Sequence, residues 1–314
     1  NLLDVAFQKY VCEGAGLKIT ACSVMHVNTD FVREGEVDPK ELLIANEVSG
    51  KIAELLTKIP QRLEELKEVA SEPECPDVAI GAHCSHPYSC DLKERCWAFL
   101  PKHPITDLCG DRKGRRWEWL ESGVHGLADI PEEEELNAKQ NIQHVAAKEN
   151  APQVEVGEIT SFLDSLEYPL AFFDLESFNK AVPPYDHLRP YRQIPFQFSV
   201  HVQDQPGGEL KHYDFLAADA GDPRRAFMEE LIKVIPGKGS IVAYSASVEK
   251  GRIKECAKVF PQFQSWVNSV SDRFVDLLVP FRNFSFYHPD QRGSASIKNV
   301  LPALTDTSYS DLSI

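Results

Sequence analysis

The chain has 314 residues, 43% of them apolar and 26% charged, and a formal net charge of −15. This is the composition of a folded protein rather than a disordered one, the length suits two domains with separate cores, and the acidity argues against a general nucleic-acid coat protein, which needs a basic excess. A metal-dependent nuclease stays open, because such enzymes gather carboxylates and let divalent ions face the phosphate.

No apolar run approaches the ~18 residues that span a bilayer, and no basic segment followed by a hydrophobic stretch opens the chain. We therefore expect a cytoplasmic protein with no membrane partner, whose 8 cysteines serve as thiols or metal ligands rather than disulfides. The start at Asn1 without a Met, and an end at Ile314 with no visible closing element, lead us to expect an internal segment of a longer protein.

Leu3, Phe7, Tyr10 and Val11 predict an opening helix closed by Gly14 and Gly16. Alternation from Ile19 to Val27 predicts a strand. Ser49 is the expected N-cap of a long helix carrying Ile52, Leu55, Ile59, Leu63, Leu66 and Val69, kinked or split by Pro60. From Pro73 to Cys109 the pattern is irregular and rich in Cys, His and Pro. Trp117, Leu120, Val124, Leu127 and Ile130 predict a short helix and turn, and a polar helix follows through Gln140 and His144. The polar stretch after Glu149 reads as a linker.

Beyond it, Leu170 to Phe173 predicts a strand ending in Asp174, and Phe196, Phe198 and Val200 predict another. A Gln205 to Gly208 turn leads to a returning strand through Tyr213 and Phe215. Asp222-Pro223 opens a helix through Phe227 and Leu231, and Ile241 to Tyr244 is a further strand before a helix bearing Val248, Ile253, Cys256 and Phe260. Hairpin strands first, then strands alternating with helices, predict an α/β mixed sheet covered by helices.

In Phe172-Phe173-Asp174-Leu175-Glu176, strand alternation puts both carboxylates on one face, where they suit a hard divalent ion. Taken alone, Asp-X-Glu at a strand end reads more readily as simple solvation. A third carboxylate, Glu249, follows the apolar strand Ile241 to Tyr244 and a turn of small residues. Here the sequence resembles the DEDD exonuclease superfamily, whose first motif is Asp-X-Glu on the first strand and whose second acid, in most members Asp, follows a strand and a short turn. Glu249 departs from that pattern.

Pro183-Pro184-Tyr185, Pro195-Phe196-Gln197-Phe198-Ser199, Asp276-Leu277-Leu278 and Gly293-Ser294-Ala295-Ser296-Ile297-Lys298 extend the likeness to an uncharacterised bacterial family, domain of unknown function family 2779, over nearly all of Tyr168 to Ile314. The resemblance implies an RNase H-like exonuclease domain in which Asp174, Glu176 and Glu249 bind two Mg²⁺ or Mn²⁺ ions. Nothing from Leu301 to Ile314 fits the superfamily's fourth acid, which is expected beyond the chain's end. Asp276 reads either as a backbone support or as a further group near the metals. Lys298 and Arg292 read as phosphate contacts or as surface charges, and Tyr287 and His288 have no assigned role.

In the first part, Cys84, Cys90 and Cys96 are evenly spaced on the irregular loop and suit an Fe–S cluster or zinc, with Cys75, Cys109, His83 or His86 available as a fourth ligand. The bland reading is a set of unligated buried thiols, and Cys12, Cys22 and Cys256 read as core. With Phe7-Gln8-Lys9-Tyr10, these cysteines resemble the C-terminal half of the RecB-type, CRISPR-associated nuclease family. That resemblance implies a [4Fe–4S] cluster whose distant early cysteine, like the catalytic residues of that module, would precede Asn1.

Arg112, Lys113, Arg115 and Arg116, followed by Trp117 and Trp119, read equally as a nucleic-acid-binding patch and as a solvated turn. The expectation is thus a partial restriction-endonuclease-like α/β module at 1–148, a linker at 149–165, and an RNase H-like mixed sheet with helices on both faces at 166–314. Its function would be metal-dependent exonucleolytic cleavage of DNA or RNA. The alternative is a catalytically degenerate module, stapled by Fe–S or zinc, that binds nucleic acid or a partner.

Overall fold

The computed structural model describes residues 1–74, 76–218 and 221–309. The chain divides into two compact units, one formed by residues 1–79 and 178–193 and the other by residues 80–177 and 194–314.

The first unit contains α1 (Leu2–Gly14), β1 (Ser23–Val27), α2 (Pro39–Leu42), β2 (Leu43–Glu47) and α3 (Ser49–Ser71). β1 and β2 pair antiparallel, with Met25 opposite Ala45. Ala6 of α1 packs with Val48, Ile52 and Ile59 in a small core. The predicted apolar stripe of α1 is not the face that packs: Leu3, Phe7, Tyr10 and Val11 are exposed, while Val5 and Ala6 meet the core. Pro60 lies within a single helix. It removes only one N–H from the ladder, and Ile52 and Ile59 are both anchored in the core. Val48 is the N-cap of that helix, and the Ser49 hydroxyl instead accepts from Cys22 N at 2.9 Å. Residues 178–193 join this unit through Arg33, whose Nη1 donates to the carbonyls of Pro183 and Pro184 at 2.9 and 2.7 Å.

The second unit begins with α4 (Lys93–Cys96), α5 (Arg115–Glu121) and α6 (Ala138–Glu149), around a core of Ile105, Leu108, Trp119, Leu120, Leu127, Ile130 and Ala147. Asn137 caps α6 through a reciprocal pair of hydrogen bonds with Gln140. Within the stretch read as a linker, β3 (Gln153–Val154) and α7 (Val156–Asp164) form. The remaining elements are β4 (Leu170–Phe178), β5 (Ile194–Gln203), β6 (Leu210–Leu216), α8 (Arg224–Val234), β7 (Ile241–Ala243), α9 (Ala246–Val259), α10 (Gln264–Ser271), β8 (Phe274–Asp276), α11 (Leu278–Asn283), β9 (Phe286–Tyr287) and α12 (Ile297–Leu304). β3 pairs with β9.

The main sheet has five strands in the order β6-β5-β4-β7-β8. β5 and β6 form an antiparallel hairpin, whereas β4, β7 and β8 run parallel, so the sheet is mixed and the architecture α/β. Alternation decides which side chains enter the core. Ala171, Phe173 and Leu175 of β4 and Phe198, Val200 and Val202 of β5 pack with Phe227 and Leu231 of α8, Ile253 and Cys256 of α9, and Val267 and Val270 of α10. Gly239 turns into β7 at φ +84°, where a Cβ would strike the backbone of Pro169.

Candidate active site

Asp174 and Glu176 lie on the side of β4 opposite Phe173 and Leu175, and both reach solvent. β7 ends beside them at Ala243, and the chain passes through Tyr244 and Ser245, the latter left-handed at φ 70°, into α9. The sharp entry to α9 is tied down by Asp276 at the end of β8, whose Oδ1 accepts from Ser245 N at 2.9 Å and from Leu278 N at 3.0 Å. Asp276 is therefore a backbone support, and its charge also acts on the site.

Glu249 faces inward on the first turn of α9, with Ala246, Ile253, Cys256 and Ala257. It is only 5% exposed. Its Oε2 is the one carboxylate oxygen among the buried side-chain atoms of the described residues that lacks a hydrogen-bond partner. Burial pushes its pKa up to about 7, and the charges of Asp174 and Asp276 push the same way, against its own backbone N–H and Arg252. Burial also raises Asp174, whose carboxylate sits at a cleft rim, while a hydrogen bond from Leu175 N opposes the rise.

The cleft beside Asp174 has a volume of about 320 Å³ and is lined by Phe172, Ser199, His201, Tyr244 and Leu277 among others. It opens at the carboxyl ends of β7 and β8, the usual ligand position in parallel α/β sheets. Tyr244 OH donates to Ala295 O at 2.7 Å, and its ring stacks on Phe281. Burial and the Asp276 charge push the Tyr244 pKa up to about 12, so the phenol stays neutral. His201 stacks on His212, centroids 4.3 Å apart, and His212 Nε2 lies 3.1 Å from Ser199 Oγ.

Of the expected carboxylates, the fold brings Asp174 and Glu249 within electrostatic reach of each other and adds Asp276. Glu176 shares the strand face of Asp174 but is not among the cleft's lining residues. Among the described residues, no group of three or more His, Cys, Asp or Glu side chains is arranged to hold a metal ion as it stands. Sequence reasoning missed Ser199, His201 and Tyr244. The available signal was that Ser199 and His201 alternate with the core residues Phe198, Val200 and Val202 on a strand next to β4.

Cys84 is buried on a 3-10 turn, whereas Cys90 and Cys96 are exposed. Cys90 N donates to Cys84 O at 2.9 Å, so the loop is closed by backbone bonds. Cys109 is half-buried, burial pushes its thiol up, and its N–H donates to Gln143 Oε1 at 2.7 Å. Cys75, a candidate fourth ligand, lies outside the described residues, as do Ser310 to Ile314 in the tail searched for a fourth acid.

The basic run is largely committed. Arg116 pairs with Asp111 at 3.0 Å and donates to Thr106 O at 2.8 Å. Arg115 donates to Glu135 O and lies over the Trp119 ring at 4.8 Å. Arg112 and Lys113 are exposed and line a shallow 380 Å³ depression with Asn137 and Gln140. Lys298 is exposed, 6.0 Å from the centroid of Tyr309. Arg292 pairs with Asp107 at 2.7 Å, His288 Nδ1 accepts from Asp290 N, and Tyr287 is fully buried.

No curated protein and no solved structure matches the chain. Residues 171–296, which take in the sheet strands and helices that carry Asp174, Glu176, Glu249 and Asp276 and exclude the cysteine loop and the basic run, match the model of a family described as a domain of unknown function (DUF2779).

Proposed function

We propose that residues 166–314 form an RNase H-like domain that hydrolyses phosphodiester bonds of DNA or RNA from an end with the help of Mg²⁺ or Mn²⁺. The observation that carries this reading is Glu249 Oε2, a buried carboxylate oxygen without a donor, facing the charges of Asp174 and Asp276. A buried carboxylate that lacks a donor and feels two further carboxylate charges is a cost to the fold unless a cation or proton relieves it. The hairpin-then-parallel strand order of the sheet also supports the reading.

Asp174 and Glu249 would hold the ion, with Glu176 extending the acidic edge on the open side. A bound divalent ion would supply a Lewis acid that neutralises phosphate charge and acidifies water. Asp276 acts through the backbone, holding the Ser245 turn that aims α9 and Glu249 at β4. Tyr244, tethered to Ala295, fixes one wall of the cleft. Exposed Arg112 and Lys113 would meet the backbone of the strand. The resemblance of residues 1–148 to a RecB-type module, carried by Phe7-Gln8-Lys9-Tyr10 and the cysteines, would make Cys84, Cys90 and Cys96 ligands of an Fe–S cluster or zinc, and no step of the chemistry runs through those thiols.

The test is hydrolysis of an end-labelled single strand with Mn²⁺ by the full chain and by Asp174→Ala. The expected outcome is a product ladder from wild type and a loss of about a hundredfold or more in the variant, since even groups that merely orient metal ligands are worth 10–100-fold. Equal rates would sink the assignment. A second reading, binding of nucleic acid or a partner without cleavage, is favoured by Glu249 standing where the superfamily carries Asp. Retained strand binding with no ladder from wild type would select it.

A further inference from the structure

We infer that His201 is the hydrogen-bond donor that contacts a phosphate oxygen of a nucleotide held in the cleft beside Asp174. The inference deepens the nuclease reading and rests on it for the choice of ligand class.

Four polar side chains among the described residues line the cleft: Asp174, Ser199, His201 and Tyr244. Tyr244 OH already donates a hydrogen bond to Ala295 O, at 2.7 Å. Ser199 Oγ is engaged with His212 Nε2 at 3.1 Å. Asp174, when ionised, is acceptor-only and repels an anion. Of the four, His201 alone has a side chain without a hydrogen bond among the described residues, its ring making only a stacking contact, so its N–H is open to a ligand.

The imidazole is also held in place. The register of the hairpin puts His201 directly opposite His212, the rings lie nearly parallel at 19° and 4.3 Å, and Ser199 anchors the far ring. A cross-strand pair braced in this way gives up little rotamer freedom on binding, so its hydrogen bond is made at low entropic cost. An anionic ligand in a cleft with a carboxylate at its rim needs a donor on the opposite wall. β5 supplies one next to β4, and Phe172 and Leu277 offer apolar surface for the sugar and base.

The test uses the full chain with labelled histidines and follows the His201 ring resonances by NMR as thymidine 5′-monophosphate is added with Ca²⁺. His201→Gln identifies the signal, and the eight histidines other than His201 and its stacked neighbour His212 staying in place shows that the variant is folded; His201→Asn serves if it is not. We expect the nucleotide to shift His201 in wild type and His201→Gln to weaken its binding about tenfold, with the melting temperature unchanged. No binding by wild type, or binding with His201 unmoved and equal affinity in the variant, overturns the contact. Strand hydrolysis is scored separately. A shifted His201 in a protein that never cleaves keeps the phosphate contact and removes the nuclease reading, whereas cleavage with unchanged kcat and KM in His201→Gln removes the contact and keeps the nuclease.

Discussion

Two buried polar regions of the same compact unit are built in opposite ways. Gln143 on α6 is fully buried, and every polar atom of its side chain is engaged: Oε1 accepts from Cys109 N at 2.7 Å, and Nε2 donates to Asp107 O at 3.1 Å and to Tyr287 OH at 3.3 Å. Tyr287 OH accepts in turn from Gly293 N at 3.1 Å. Gly293 has φ +73°, and a Cβ there would press on Asp107 O at 2.6 Å and Gln143 Nε2 at 2.8 Å. Glu249 is buried almost as deeply, yet one oxygen has no partner and its neighbours are like charges. A satisfied network stabilises and specifies the fold. An unsatisfied carboxylate among carboxylates weakens the fold, and a ligand that supplied the missing partner would relieve that cost.

The largest stability effect should come from the satisfied network. Gln143→Leu leaves Cys109 N and Asp107 O without partners, so a loss of about 3 kcal/mol is expected at any pH. Urea unfolding at pH 5 and pH 8 checks this, and a loss below about 1 kcal/mol at both would mean that the network is ornamental.

Glu249→Gln should act with the opposite sign and depend on pH. The folded-state pKa of Glu249 is raised to about 7, so its protonated form contributes stability that is fully present below the ordinary carboxylate range and is lost as pH rises through 7. Wild type should therefore weaken between about pH 5 and pH 8, by up to roughly 3 kcal/mol, while Glu249→Gln lacks that component and is the more stable protein at pH 8. Mn²⁺ should raise the melting temperature of wild type at pH 8 and not that of the variant. Parallel pH profiles would remove the contrast between the two regions.

The smallest effects separate two members of the basic run. Arg116→Ala breaks a pair with a nearly buried Asp111, whose carboxyl is pushed up by burial but held lower overall by hydrogen bonds from Arg116 and from Arg115 N, and should cost about 1–2 kcal/mol. Lys113→Ala should cost under about 0.5 kcal/mol and instead flatten the salt dependence of strand binding. A stability loss at Lys113 equal to that at Arg116 would show that the run is wholly structural.

Much of the sheet was legible because its signals are local. The run Leu170 to Phe173, the alternation of Phe196, Phe198 and Val200, and the Gln205 to Gly208 turn correspond to β4, β5 and the hairpin to β6. The strand β4 runs past Asp174 to Phe178 because Leu175 still packs in the core. The exposed stripe of α1 was not legible, since an amphipathic pattern states which residues are apolar and not which of them find a partner. Nor was the full engagement of Arg115 and Arg116 legible: Asp111 lies only five residues from Arg116, but Glu135 and Thr106 lie 20 and 10 residues away, on other segments.

By itself, the sequence determined the strands and helices from β4 to α9, the shared strand face of Asp174 and Glu176, and the position of Glu249 at the head of a helix, all consequences of periodicity and turn chemistry within a few residues. Only the tertiary structure decided that Asp276 locks the Ser245 turn, that His201 and His212 stack beside Asp174, and that Glu249 is buried without a donor. It also decided that residues 80–148 share a compact unit with the sheet. These facts depend on strand register and on contacts between residues far apart in the chain, and no local pattern encodes how much water a carboxylate keeps once the chain has closed around it.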